Sequence, residues 1–177
     1  SYDITRPGML YGRILRSPHP HARIRSLDLA PALALPGVKA AVPIAKVGGK
    51  VMYVGDEIAA VAAATEDQAR DAVRAIKVEY EVLPFVATVE QAMRAEAPTV
   101  FDGGNTKASQ TEDEGNLEAG FAAAAHIVEQ TYATQVQTHV SLETHGCVCE
   151  WEGDKLTAWV STQAVHGTRE GFATSLG

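Results

Sequence analysis

Cysteine is scarce in this chain, with two among 177 residues, and that scarcity excludes a disulfide-stapled scaffold and fits a reduced, cytoplasmic setting. The pair, Cys147 and Cys149, falls in an expected strand. It is expected to point to opposite faces, with both thiols packed as small apolar groups and neither a mutual disulfide nor joint metal ligation. Long apolar runs are also missing: no stretch approaches the roughly 20 residues needed to cross a bilayer, and no charged region followed by an apolar one opens the chain. A soluble protein is expected. The start at Ser1-Tyr2-Asp3 without methionine suggests that further residues precede it. Positive charge is in deficit, with 15 Lys and Arg against 22 Asp and Glu and a net charge of −7. Nucleic acid or an anionic membrane would have to be bound against that repulsion.

What is present is an ordinary globular composition, 46% hydrophobic and 21% charged, enough for one domain and part of another. Residues 8–16 read as a strand, and Ser17-Pro18-His19-Pro20-His21 forbids helix after it. The arginines Arg13, Arg16, Arg23 and Arg25 either form a local basic patch or, as their spacing favours, point outward from half-buried strands. A short helix over 30–35 ends at Pro36-Gly37, and Val38 to Val42 is a further strand. Ile58 to Ala64 is an unbroken apolar run of strand length, the pattern of a strand covered on both faces.

Thr65-Glu66-Asp67-Gln68 then reads as a capping box, in which the Thr65 hydroxyl accepts from the Gln68 amide and the Gln68 side chain returns the bond. Ala69, Ala72, Val73 and Ile76 share one face of the helix that follows. A strand continues to Val82, and a short helix starts at Val89. From Asp102 to Asn116 no large apolar residue occurs, as in a solvated linker. Beyond it are a helix capped by Asn116, a strand over Ile127 to Tyr132, a hairpin turning at Gly153-Asp154, and an amphipathic helix from Val165 to Leu176. The fold class is α+β.

Few residues carry chemistry by pattern alone. His139, Glu143 and His145 form the densest cluster, and on a strand the last two would share a face and could ligate a metal together. A third ligand is not evident, and a histidine donating to a carboxylate inside a core is the more common arrangement. No glycine-bracketed nucleophile or phosphate loop is found. Trp151 and Trp159 are expected to pack the hairpin.

Order and spacing say more than any single motif. Gly8 to His19, Leu35-Pro36-Gly37-Val38, Val54 to Val61, and the Thr65 helix running into Val78-Glu79-Tyr80-Glu81-Val82-Leu83-Pro84 together resemble the α/β-hammerhead domain of the xanthine dehydrogenase and aldehyde oxidase family of molybdenum hydroxylases. Leu142-Glu143-Thr144-His145 and Val160-Ser161-Thr162-Gln163 resemble signatures that open the adjoining molybdopterin-binding domain. The resemblance implies a hammerhead over residues 1–101 lacking its first strand, a linker over 102–115, and the N-terminal portion of a mixed α/β molybdopterin-binding domain over 116–177.

It also implies that Gln163 points its amide at an oxygen of the molybdenum centre, as a neutral donor that binds no metal directly. Glu143 and His145 are not carried over as ligands, since this family holds molybdenum through the pterin dithiolene. A Gly-Gly-Phe-Gly loop, an arginine near the metal, later pterin-binding segments and a general-base glutamate would lie beyond residue 177, so no catalytic residue is expected in this chain. The implied enzyme oxidatively hydroxylates an aldehyde or N-heterocycle with oxygen from water. It shares its molybdopterin-type cofactor with the remainder of the molybdopterin-binding subunit, and 2Fe-2S clusters and FAD reside in other subunits or domains. The rival reading is a non-catalytic hammerhead interaction module. A third, an independent metal enzyme, rests only on His139, Glu143 and His145.

Overall fold

The computed structural model describes residues 3–112 and 114–177. They form two compact units, 8–112, and 114–177 together with 3–7.

The first unit contains β1 (Tyr11–Arg16), β2 (Ala22–Asp28), α1 (Ala30–Leu33), β3 (Val38–Pro43), β4 (Lys50–Val51), β5 (Glu57–Ala63), α2 (Glu66–Ala75), β6 (Lys77–Val82) and α3 (Val89–Ala92). Two antiparallel sheets result, ordered β1-β5-β3 and β4-β2-β6. The apolar run of β5 is explained by its central place. Ala59, Val61 and Ala63 face α2 and meet Ala69, Ala72 and Ile76, while Ile58 points the other way to Ala22, Ile24 and Val51 of the second sheet. Alanine on both sides of the helix–sheet contact lets the two backbones approach closely. The edge strand β3 ends in Pro43, which cannot donate to a further strand.

Thr65 caps α2 as expected, accepting from the Gln68 amide at 3.2 Å. The reciprocal half of the capping box does not form. Gln68 Oε1 is buried without a partner and lies beside Gly37, whose φ of +83° and missing Cβ leave room for that amide. The two-residue β4 has no signal of its own in the sequence. It forms because the glycines before it turn the chain against β2, with Ile24 donating to Gly49 O at 3.0 Å and Gly48 donating to Ile24 O at 2.8 Å.

The basic patch is neutralised in place. Arg13 pairs with Glu66 at 3.3 Å and Arg16 with Glu57 at 3.1 Å. The register slips between Ile24 and Ser26, and Arg23 and Arg25 both reach Glu81, at 3.7 and 2.6 Å.

The second unit contains α4 (Leu117–Ala123), β7 (Cys147–Glu152), β8 (Lys155–Val160) and α5 (Val165–Leu176). Asn116 caps α4 through the Ala119 amide at 3.0 Å. Gly153 has φ of +59° and Asp154 a negative φ, which is the type II′ pattern that matches strand twist in a two-residue hairpin.

Three expectations fail here. Ile127 to Tyr132 belongs to no sheet, and Val128, Tyr132, Val136 and Val140 are 78–94% exposed. Its β-branched and aromatic residues favour extended backbone, but no described strand pairs with it. Glu143 and His145 lie in the same irregular stretch and not on a strand, and both are exposed, as is His139. Cys147 and Cys149 share one face of β7, because side chains two apart return to the same side, and both thiols are exposed instead of packed.

Candidate cofactor-facing turn

Gln163 sits in the turn from β8 into α5, and the residues around it fix that turn. Ser161 continues the hairpin ladder one step past β8, its amide donating to Gly146 O at 3.2 Å while the Gly146 amide donates to Ser161 Oγ at 3.4 Å. This pairing joins Leu142-Glu143-Thr144-His145 to Ser161-Thr162-Gln163 at the open end of the hairpin. Thr162 then closes the turn, accepting from the Ala164 amide at 3.0 Å with its Oγ1 3.1 Å from that of Thr168. The first intrahelical bond of α5 runs from the Thr168 amide to Ala164 O at 2.9 Å.

Gln163 is exposed, and its side chain makes no hydrogen bond among the described residues. Ala164 at the N-cap offers no side-chain acceptor to α5. Among the described residues no side chain caps the first turn of α5, and the positive end of the helix dipole lies beside the glutamine. An uncommitted neutral amide beside a helix N-terminus that no described side chain caps suits an electron-rich oxygen and brings no charge to it. Such a turn fits an oxygen of a molybdenum cofactor.

Beside the turn lies a groove of about 810 Å³ between the hairpin and α5. Trp151, Leu156, Ala158 and Val160 wall it on one side, and Val165, Thr168, Arg169, Phe172, Ala173 and Leu176 on the other. The helical spacing of the second set is the amphipathic face read from sequence. Trp151, 57% exposed, lines the groove beside its cross-strand partner Leu156, whereas Trp159 on the opposite face lies under the Arg6 guanidinium at 4.8 Å. Among the described residues no three His, Cys, Asp or Glu side chains could hold a metal together. No helix of the described residues is long and apolar enough to cross a membrane. Sequence reasoning passes over Gly146, although counting back from the Gly153-Asp154 turn sets it opposite Ser161.

A two-sheet hammerhead joined to a segment of molybdopterin-binding type defines the class. Residues 1–50 and 43–84 match the aldehyde oxidase and xanthine dehydrogenase α/β-hammerhead domain, and residues 100–177 match the molybdopterin cofactor-binding domain. The chain belongs to the xanthine dehydrogenase and aldehyde oxidase family. It is 37% identical to a probable xanthine dehydrogenase component from Bacillus subtilis (strain 168), over 96% of this chain and 25% of that protein. It is 35% identical to the nicotinate dehydrogenase large molybdopterin subunit of Eubacterium barkeri, over 94% of this chain and 44% of that one. The crystal structure of quinoline 2-oxidoreductase from Pseudomonas putida 86 superposes with a TM-score of 0.83 at 30% identity, over 98% of this chain and 26% of that one. The chain thus spans a quarter to somewhat under half the length of these relatives.

Proposed function

We propose that this chain is the hammerhead and leading molybdopterin-binding segment of the large subunit of a molybdenum hydroxylase, acting on an aldehyde or an N-heterocycle. Relatives named for xanthine, nicotinate and quinoline support the heterocyclic choice. The domain assignment is a hammerhead over 1–101, a linker over 102–115 and the molybdopterin-binding segment over 116–177, with residues 3–7 grouped with the last of these. When bound, the molybdenum cofactor supplies the two-electron acceptor and the water-derived oxygen for hydroxylation. The rest of the subunit completes the cofactor site. Iron-sulfur and flavin centres in other subunits or domains take the electrons onward, in the cytoplasm.

The part played by this chain is narrower. Gln163 donates a side-chain N–H to an oxygen of the metal centre, orienting it without adding charge or displacing a ligand. Thr162 and Thr168 hold the turn from which the Gln163 amide would reach that oxygen. The observation that carries the reading is the Gly146–Ser161 pairing, which gathers both signature motifs beside an amide with no other partner among the described residues.

The test is Gln163→Ala in the holoenzyme purified from its source. Molybdenum content should stay near that of the natural protein, turnover should fall by about 10–100-fold, and the Mo(V) resonance should shift. Unchanged turnover together with an unchanged Mo(V) spectrum would remove Gln163 from the cofactor environment.

A further inference from the structure

The role proposed for Gln163 leaves the exposed thiols of β7 unused. Cys147 and Cys149 stand on one face of that strand, both accessible. They interact with one another: burial first, and then the neighbouring Cys147, push the Cys149 thiol above its ordinary range. Across the ladder they face Val160 and Ala158, which offer no competing donor or charge.

Closure to a disulfide is disfavoured. Residues two apart in an extended strand have Cα atoms about 6.5 Å apart, near the upper limit for a bridge, and the strand cannot shorten without breaking its ladder. Two thiols that lie together and do not oxidise into each other form a dithiol. A larger atom placed between them would span the gap that an S–S bond does not.

We propose that Cys147 and Cys149 form a two-thiolate binding site for one soft monovalent cation of the Cu(I) class. On binding, each Sγ–H bond breaks, two Sγ–metal bonds form, and two protons pass to solvent. No electron moves. Softness selects the ion, since thiolates bind Cu(I) strongly. Coordination number selects it again: zinc in proteins takes four ligands, and no set of three potential ligands is found among the described residues. The mutual repulsion that opposes two adjacent thiolates is relieved once a cation lies between them, so affinity should rise with pH as the protons become easier to release.

The full chain, reduced and kept anaerobic, is titrated with Cu(I) against the chromophoric chelator bicinchoninate. One equivalent should be retained, with two protons released per ion. Cys147→Ser and Cys149→Ser should each weaken retention at least about tenfold. Cys147→Ala and Cys149→Ala repeat the comparison, so that the outcome does not depend on the folding of one substitution, and circular dichroism checks each. Retention by either single variant at the level of the natural chain overturns the proposal. So does failure of both thiols to react with a thiol reagent in the folded chain, or retention of Zn(II) as tightly as Cu(I).

Discussion

The Arg6 guanidinium is held from two sides: its carbon lies 4.8 Å from the centre of the Trp159 ring, and its Nε donates to Glu150 Oε2 at 3.0 Å. Trp159 and Glu150 lie on neighbouring strands of the β7–β8 hairpin, so within the second unit one side chain ties the N-terminal residues to the hairpin across 144 positions of sequence. The ion pair is exposed at 42% and 37% and adds little alone. Stacking on the indole adds a second modest contribution, and the planar guanidinium is what allows both at once.

Arg6→Ala should therefore loosen the hairpin by about 1 kcal/mol. Arg6→Lys should recover part of this, because an ammonium keeps the charge and loses the flat contact. Hydrogen exchange of the β7 and β8 amides reads the effect. Equal protection in the natural chain and the alanine variant would show that the clasp contributes nothing.

Ile58 is the anchor of the first unit, fully buried where β5 meets the second sheet through Ala22, Ile24 and Val51. Ile58→Ala should cost about 2–5 kcal/mol and Ile58→Val about 0.5–1.5 kcal/mol, by lost burial and an incompletely collapsed cavity. Denaturant midpoints give both values. A valine variant costing as much as alanine would mean that shape, and not volume, governs the site.

How much of this was legible in the sequence depended on whether partners were local. The capping of α2 by Thr65, its Ala69, Ala72 and Ile76 face, and the doubly covered β5 were all readable, because cap, period and apolar run are properties of contiguous residues. Ile127 to Tyr132 misled for the converse reason: β-branched and aromatic residues report a preference for extended backbone and say nothing of whether a strand lies beside it. The Gln68 side chain departed from the capping box because Gly37, far earlier in the chain, opened a space for it. Gln163 had no signature of its own. An isolated glutamine in a polar tripeptide is chemically bland, and only the family motif drew attention to it.

Gly37 supplies a sharper test of that last packing. A Cβ placed there would collide with the Gln68 carboxamide, and the φ of +83° is one that side chains rarely adopt. Gly37→Ala should destabilise by more than about 1 kcal/mol, from backbone strain plus steric conflict. Adding Gln68→Ala removes the conflict and leaves the strain, so the double variant should recover only part of the loss. Denaturant midpoints of the two single variants and the double one complete the cycle. Additive single effects would show that the two residues do not press on each other.

Tyr80 links the stability of the first unit to alkaline pH. It is half-buried on β6 with its ring 4.9 Å from that of His19, and burial raises its phenol above the ordinary value while a hydrogen bond with Ser17 partly offsets the shift. Below about pH 10, the ordinary phenol value, folded and unfolded chains both hold the proton and the group leaves stability unaffected by pH. As pH rises past that value the unfolded chain releases its proton first, so it binds fewer protons than the folded one and stability falls until the raised folded value is passed. Urea midpoints of the natural chain should therefore decline between about pH 9 and pH 11 more steeply than those of Tyr80→Phe. Loss of the Ser17 contact lowers the phenylalanine variant at every pH, which is why the slope carries the information and the absolute midpoint does not. Parallel slopes would mean that the phenol ionises as freely in the folded chain as in the unfolded one, and that the contact with His19 and Ser17 does not desolvate it.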